Sequence, residues 1–387
     1  MLASPHLSRW VASSDVHNLR VIFFPSVPYR KIHPQLEAIV HANRNLTVFE
    51  HPLISPPLPS ALQRFATIRL RAFLLRRLIH KLRPSLIHAV ELQHAGYVAS
   101  KALEGMPDSR LIKLSVVNWG SDIYWFRRFR SHRKKITKLL EQVDIYSSEC
   151  SRDINLARQL GYQGLATTPV PNCGGVLVDL PQDLVPLTER KSIVLKGYSS
   201  FVGKSHHLLI AWIRLRPKVR DATLEIYSAS LLVRLLAGVL RRVDTSLSVR
   251  CYAHGQLTEQ QMWELLGRAR VYVGFSASDG LSTSLLEALS AGAIPLQTDS
   301  ACIEELIEKG FHVVPLNPKD PSGAVSQLAQ IFDNPEAHQI LVNNNRHLSE
   351  DVHSPPAVAS LSDSTLGAIA KRIADEETAE LSTGIND

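Results

Sequence analysis

The 387-residue chain has only four cysteines, Cys150, Cys173, Cys251 and Cys302, far apart and with no Cys-x-x-Cys pair. That spacing predicts neither a disulfide framework nor a zinc site and fits a reducing compartment. No uncharged apolar run of about 18 residues occurs, so no transmembrane helix is expected. The opening Met-Leu-Ala-Ser-Pro-His lacks a basic stretch followed by an apolar one, so no secretory signal is read there. No Asp-x-Asp pair is present to hold a divalent ion. Neither an aromatic-rich single-strand motif nor a helix-turn-helix pattern accompanies the positive charge, which leaves a nucleic-acid reading with charge alone behind it.

What is present points to a globular protein of two domains. The chain is 45% hydrophobic and 20% charged, and its length suits two units of about 100–200 residues. Net charge is +7, unevenly spread. Residues 64–83 carry Arg64, Arg69, Arg71, Arg76, Arg77, Lys81 and Arg83 with no acid, and residues 127–138 carry seven more bases with no acid. In the first cluster Phe65, Ile68, Ala72, Leu75, Ile79 and Leu82 recur at helical spacing. A basic amphipathic helix of this kind fits an anionic membrane surface; a core helix with a solvated arginine face fits equally well.

Strand-like and helix-like segments alternate along the chain, the pattern of parallel α/β architecture. In the first half, strands are expected at 19–24, 48–49, 84–90 and 111–117, with helices at 34–43, 64–83 and 93–104. In the second, strands at 192–195, 222–227, 247–252 and 271–275 alternate with helices at 206–214, 231–243 and 259–268, the last opened by a capping box at Thr258-Glu259-Gln260-Gln261. The turn-rich stretch from Pro169 to Pro186 marks the boundary. The expected domains are 1–180, 187–350, and a C-terminal helix and polar tail at 351–387.

Residues 271–299 carry the strongest signal. They read as a buried strand, a polar turn, a helix, a glycine stop and a second strand. Asp279 and Glu287 stand with seven residues between them; Gly280 follows the first, and Ser282, Thr283 and Ser284 open the helix. A helix N-terminus at the C-terminal end of a strand offers N–H groups to an anion, and open α/β sheets bind ligands there. Asp279 can reach a sugar hydroxyl, and Glu287 can accept hydrogen bonds from vicinal hydroxyls such as those of a ribose.

This segment resembles the signature of retaining glycosyltransferases of the GT-B fold, family 4 (glycosyl transferases group 1): Glu-Gly-x-Gly, four residues, then Glu-Ala-Met-Ala-x-Gly-x-Pro-Val. Here it stands as Asp279-Gly280-Leu281-Ser282, then Glu287-Ala288-Leu289-Ser290-Ala291-Gly292-Ala293-Ile294-Pro295. Asp279 replaces a Glu and Ser282 a Gly. Weaker likeness lies at Arg83–His88, at Gly120-Ser121-Asp122-Ile123 and at Pro171-Asn172. Trp119 stands where the family has a histidine, and the glycine-rich first loop of many members is absent.

The resemblance implies an α/β fold of two doubly wound Rossmann-like domains facing across a cleft, the first taking the acceptor and the second a nucleoside-diphosphate sugar. It implies retention at the anomeric carbon without a metal, cations and a helix dipole balancing the leaving diphosphate. Lys204 matches the family lysine of the loop after the first strand of the second domain. The family's arginine is missing there, and Lys196 stands in for its charge without its bidentate fork. The implied donor-binding set is Lys196, Lys204, Gly280, Leu281, Ser282, Thr283 and Glu287, with Asp279 and Lys204 closest to the chemistry. His94 and Asp122 are the acceptor-side candidates, and His254-Gly255-Gln256 falls where members hold the base by backbone groups. Adjacent His206 and His207 are expected on different helix faces, a poor metal pair.

The function expected is hexosyl transfer to a glycan or lipid-linked glycan in surface polysaccharide or glycolipid assembly, in the cytoplasm and peripherally at the inner face of the plasma membrane. A non-catalytic GT-B relative that binds nucleotide sugar or a partner is the alternative, kept open by Asp279, Ser282 and the missing arginine.

Overall fold

The structure is a computed structural model that describes residues 2–13, 19–107, 111–176, 179–181, 184–219 and 221–361. The polar tail expected at 375–387 lies outside the described residues. The chain divides into two compact units: one runs up to Gly175 and resumes at Pro355, the other is Val176–Ser354.

In the first unit, β1 (Val21–Phe23) pairs in parallel with β2 (Leu46–Val48). A parallel four-stranded sheet follows, in the order β3 (Leu86–Val90), β4 (Lys113–Asn118), β5 (Ile145–Ser148) and β6 (Leu165–Ala166). Its central strand β4 is buried along nearly its whole length, as expected when helices cover both faces. Leu114, Val116, Ile136, Leu139 and Tyr146 are buried in the core of this sheet. A separate cluster of Leu7, Val11, Leu36 and Leu46 holds the N-terminal helix Pro5–Ser13 against β2 and the helix Pro34–Ala42.

The second unit is a six-stranded, all-parallel sheet built from β7 (Ser192–Lys196), β8 (Thr223–Ala229), β9 (Ser248–Ala253), β10 (Ala269–Gly274), β11 (Ile294–Thr298) and β12 (Val314–Leu316). Its spatial order is β12-β11-β10-β7-β8-β9. Successive strands from β7 build outward on one side and from β10 on the other. The order therefore reverses between β7 and β10, and their C-terminal ends frame the crevice that such sheets use for ligands. Near-continuous burial of β7, β10 and β11 is the mark of central parallel strands. Trp212, fully buried in the helix Ser205–Leu215, anchors one face of the core. The capping box expected at Thr258 is formed: its hydroxyl accepts from Gln261 N while the Gln261 side chain accepts from Thr258 N.

The basic helix runs Ile68–Leu82, capped by Thr67. Its buried face is Arg71, Ala72, Leu74 and Ile79, whereas Phe65 and Ile68 of the expected stripe are exposed. Arg71 donates to Pro25 O at 2.5 Å and Gln63 O at 3.2 Å. Arg76 donates to Ala102 O at 2.8 Å and to Glu104 O. Two of the cluster's bases thus close carbonyl groups of neighbouring segments.

Candidate functional site at the strand-order reversal

The loop after β7 and the loop after β10 are zipped together. Ser200 N bonds Gly203 O at 3.0 Å, so residues 199–204 form a tight hairpin. Lys204 N then bonds Phe275 O at 2.9 Å, and Ala277 N bonds Val202 O at 2.8 Å. Ser205 Oγ closes the base of the hairpin onto Lys196 O at 2.6 Å and Tyr198 O at 2.8 Å. Two glycines permit this path. A side chain at Gly203 would meet Tyr198 O at 2.5 Å, and one at Gly197 would meet Ala229 Cα and Tyr227 O at 2.9 Å.

This framework brings Lys196 to the signature. Its Nζ lies 3.3 Å from Ser282 Oγ and 3.7 Å from Asp279 Oδ2. Both charged side chains keep access to water, Lys196 at 29% and Asp279 at 30% exposure. Asp279 is held from two sides: Oδ1 accepts from Gly280 N at 3.0 Å, and its own N–H bonds Ser300 O at 3.3 Å. Ser300 is fixed in turn, its Oγ donating to Ser276 O at 2.7 Å. The helix Thr283–Ser290 starts directly beyond, its first-turn N–H groups at the β10 end of the crevice.

Glu287 lies on the buried face of that helix and is only 2% exposed. Tyr227 on β8 and Tyr272 on β10, the strands either side of β7, are also buried. Burial raises both phenols, and the negative charge of Glu287 near Tyr227 and of Asp279 near both adds to the rise. Both phenols therefore stay protonated near the carboxylates. Neither tyrosine was singled out by sequence. The signal available was an aromatic in an otherwise aliphatic strand, which a core position explains as well.

The remaining candidates sit as follows. Gly280 is buried, and Leu281 and Thr283 are half-buried on the turn and first helical residue. His254 and Gly255 form an exposed turn after β9, closed by the Gln256 side chain on Ala253 N at 2.8 Å. His206 and His207 open the helix Ser205–Leu215 and do not diverge: their rings meet edge-on at 4.2 Å, because the pair sits in the first turn, where Ser199 Oγ holds His206 Nδ1 at 2.8 Å.

His94 and Asp122 belong to the first unit and lie at the C-terminal ends of β3 and β4. Asp122 is 6% exposed and its Oδ2 accepts from Leu92 N at 2.9 Å and Trp119 N at 3.0 Å. Burial raises its carboxyl, helped by the charge of Glu91, while these two N–H donors pull it down. It ties the two strand-end loops together. His94 is half-exposed and bonded to Glu91, whose carboxylate raises the imidazole. Glu91 itself adopts φ +84°, a conformation that non-glycine residues hold only when neighbours impose it.

Comparison with solved structures supplies the fold class. The Anabaena protein HepE, solved in complex with UDP-glucose, superimposes with a TM-score of 0.66 at 12% identity, covering 95% of this chain and 97% of that one. Sucrose-phosphate synthase from Thermosynechococcus elongatus gives 0.64 at 12% identity, over 92% and 98%. An α,α-trehalose 6-phosphate synthase from Burkholderia multivorans gives 0.62 at 12% identity, over 96% and 83%. The fold is thus that of GT-B glycosyltransferases, with two Rossmann-like domains. Residues 243–348 match the family glycosyl transferases group 1. The signature from Asp279 to Pro295 lies within that stretch, and the resemblance read from it holds at the level of the group 1 family. Comparison with curated protein sequences gives no match.

Proposed function

We propose that this protein is a retaining glycosyltransferase that moves a hexosyl unit from a nucleoside-diphosphate sugar to a glycan or lipid-linked glycan. The observation that carries the reading is Lys196 seated between Ser282 and Asp279 at the strand-order reversal, where open α/β sheets bind nucleotides. On this reading Lys196, Lys204 and the N–H groups of Leu281, Ser282 and Thr283 receive the diphosphate, while Gly280, whose N–H holds Asp279 Oδ1, lets the turn approach the donor. Glu287 takes the ribose hydroxyls, and Asp279 contacts the donor sugar. The bond from the anomeric carbon to the leaving phosphate oxygen breaks as the acceptor oxygen bonds that carbon on the same face. The acceptor's proton passes to the leaving phosphate, so no protein nucleophile is needed. The lysines act through preorganised charge aimed at the departing oxyanion, and turnover is expected to persist in EDTA.

His94 and Asp122 are proposed on the acceptor side, His94 as the accessible contact and Asp122 as the brace behind it. The acceptor's lipid-linked character draws support from the exposed Phe65 and Phe73 beside the bases Arg64, Arg69, Arg77 and Lys81, a combination suited to an anionic bilayer. The bases of 127–138 add to that charge.

The second reading, a non-catalytic nucleotide-sugar-binding relative, is favoured by one feature: Asp279 and Ser282 already engage the Lys196 amine. Transfer assays with labelled nucleotide sugars separate the two. Release of nucleoside diphosphate with a glycosylated acceptor, lost in Lys204→Ala, supports catalysis; tight donor binding without any turnover on any acceptor supports the second reading.

A further inference from the structure

We infer that the helix Leu231–Val243 of the second unit is a lipid-facing surface that lies on an anionic bilayer. This helix has two apolar faces. Val233, Ala237 and Leu240 are buried against the sheet. On the opposite side Leu231 is 65% exposed, Leu235 62%, Leu232 47% and Val239 43%. At 3.6 residues per turn these four fall within an arc of about 100°, and Leu231, Leu235 and Val239 form a single row at i, i+4, i+8. A Cβ placed at Gly238, beside the row, would meet no side chain or other segment within 4 Å, so the described structure leaves that side of the helix open.

Charge selects the occupant. The helix carries Arg234, Arg241 and Arg242 and no acid. Arg234 and Arg242 are exposed, while Arg241 also donates to Val249 O at 2.8 Å. Arg242 falls inside the apolar arc, near the helix end, where a long side chain can keep its charge at the headgroups while its stem lies in the acyl region. A row of branched aliphatic side chains on a helix that carries cations and no acid matches a deformable apolar phase under an anionic surface. The helix also starts at the proposed donor site: Ser230 N bonds Gly197 O at 3.1 Å, in the loop between Lys196 and Lys204. This placement suits an acceptor presented from a membrane, and to that extent rests on the function proposed above.

The test is sedimentation of the full chain with sucrose-loaded vesicles of phosphatidylcholine alone or with about one-third phosphatidylglycerol, at low and moderate salt. Wild type should bind the anionic vesicles and release with salt. The variant Leu231→Gln/Leu235→Gln/Val239→Thr should bind at least about tenfold more weakly with unchanged far-UV circular dichroism and nucleotide binding. Arg234→Gln/Arg242→Gln should also bind more weakly, with a smaller salt response. Phe65→Gln/Phe73→Gln serves as the comparison. If only that variant loses binding and the leucine variant binds like wild type, the inference is overturned while the first-unit membrane reading stands. Failure of wild type to sediment overturns both. A concentration-dependent dimer abolished by the leucine variant also overturns the inference, making the face a contact between copies. Donor turnover in free solution is measured alongside, so failure of the transferase reading shows separately.

Discussion

Lys196 is worth most at the scale of single residues, because its amine joins the two positions at which the signature departs from the family pattern. The Asp279 carboxylate and the Ser282 hydroxyl both lie within reach of the lysine that β7 supplies. Lys196→Ala is expected to lower kcat by about 10²-fold, with KM for the donor raised and the acceptor KM unchanged. Restoring the family's residue types, Asp279→Glu with Ser282→Gly, should weaken the hold on Lys196 and change the donor KM more than kcat. Steady-state kinetics against donor concentration checks both. Arg190 makes a purely structural contrast. It is buried and its Nη1 donates to Ala269 O at 3.0 Å and Gly292 O at 2.6 Å, tying the start of β10 to the end of the signature helix. Burial lowers its guanidinium to about 10. Arg190→Ala leaves buried carbonyls without a donor and should destabilise the second unit by about 2–3 kcal/mol, measured by urea unfolding, with kinetic constants of the folded enzyme little changed.

At the scale of elements, the hairpin from Gly197 to Lys204 positions the site, and its glycines are sterically required. A methyl at Gly197 would stand 2.7 Å from Ile226 Cγ2 and 2.9 Å from Ala229 Cα, backbone that cannot move without shifting β8. Gly197→Ala should cost about 1–3 kcal/mol and displace Lys196, so thermal stability and donor affinity fall together. The second unit was legible because its strands are long apolar runs separated by helical spacing and turn residues. Helix 231–243 and the capping box at Thr258 were readable to the residue. Less was readable in the first unit. The helix Pro5–Ser13 has nine residues, too few to be stable alone, and exists through Leu7 and Val11 packing on Leu36 and Leu46. Strand β5 has four residues and β6 two, below the length at which alternation is detectable. The expected helix 93–104 is split, a π-helical segment Leu92–Gly96 preceding Tyr97–Leu103. The Asp122 carboxylate bonds the first N–H of that segment from another strand end, a contact between residues distant in sequence that no local pattern announces. The buried position of Arg71 follows from the same cause: its partners are the carbonyls of Pro25 and Gln63.

At the scale of the whole molecule, acid sensitivity follows from buried histidines. His353 is 1% exposed, stacks on Phe311 at 5.0 Å, and its carbonyl accepts from Val176 N at 2.7 Å, joining the two ends of the second unit. Burial lowers its imidazole to about 4, and burial does the same to His88 in the first unit. Because the folded values lie below the unfolded value near 6.5, the stability tied to neutral imidazole is intact above about pH 6.5 and is lost as pH falls toward 4. For His353 the loss amounts to about 3 kcal/mol once pH is below 4. Urea midpoints measured from pH 7.5 down to 4.5 should fall, and His353→Gln should flatten the slope; an unchanged slope in that variant contradicts the assignment. Among the described residues no helix is long and apolar enough to cross a membrane; the bilayer contacts proposed above are the surface helices Ile68–Leu82 and Leu231–Val243.

The most direct test of the central claim is thermal unfolding of the full chain with UDP-, GDP-, ADP- and dTDP-sugars, with and without EDTA, in wild type and Glu287→Ala. Binding at 100 times the dissociation constant should stabilise by about 2.7 kcal/mol. The account predicts a clear upshift with one nucleotide class, retained in EDTA and abolished in Glu287→Ala despite a folded variant. No upshift with any nucleotide sugar, or an upshift that Glu287→Ala leaves intact, would contradict the placement of the donor site at the strand-order reversal.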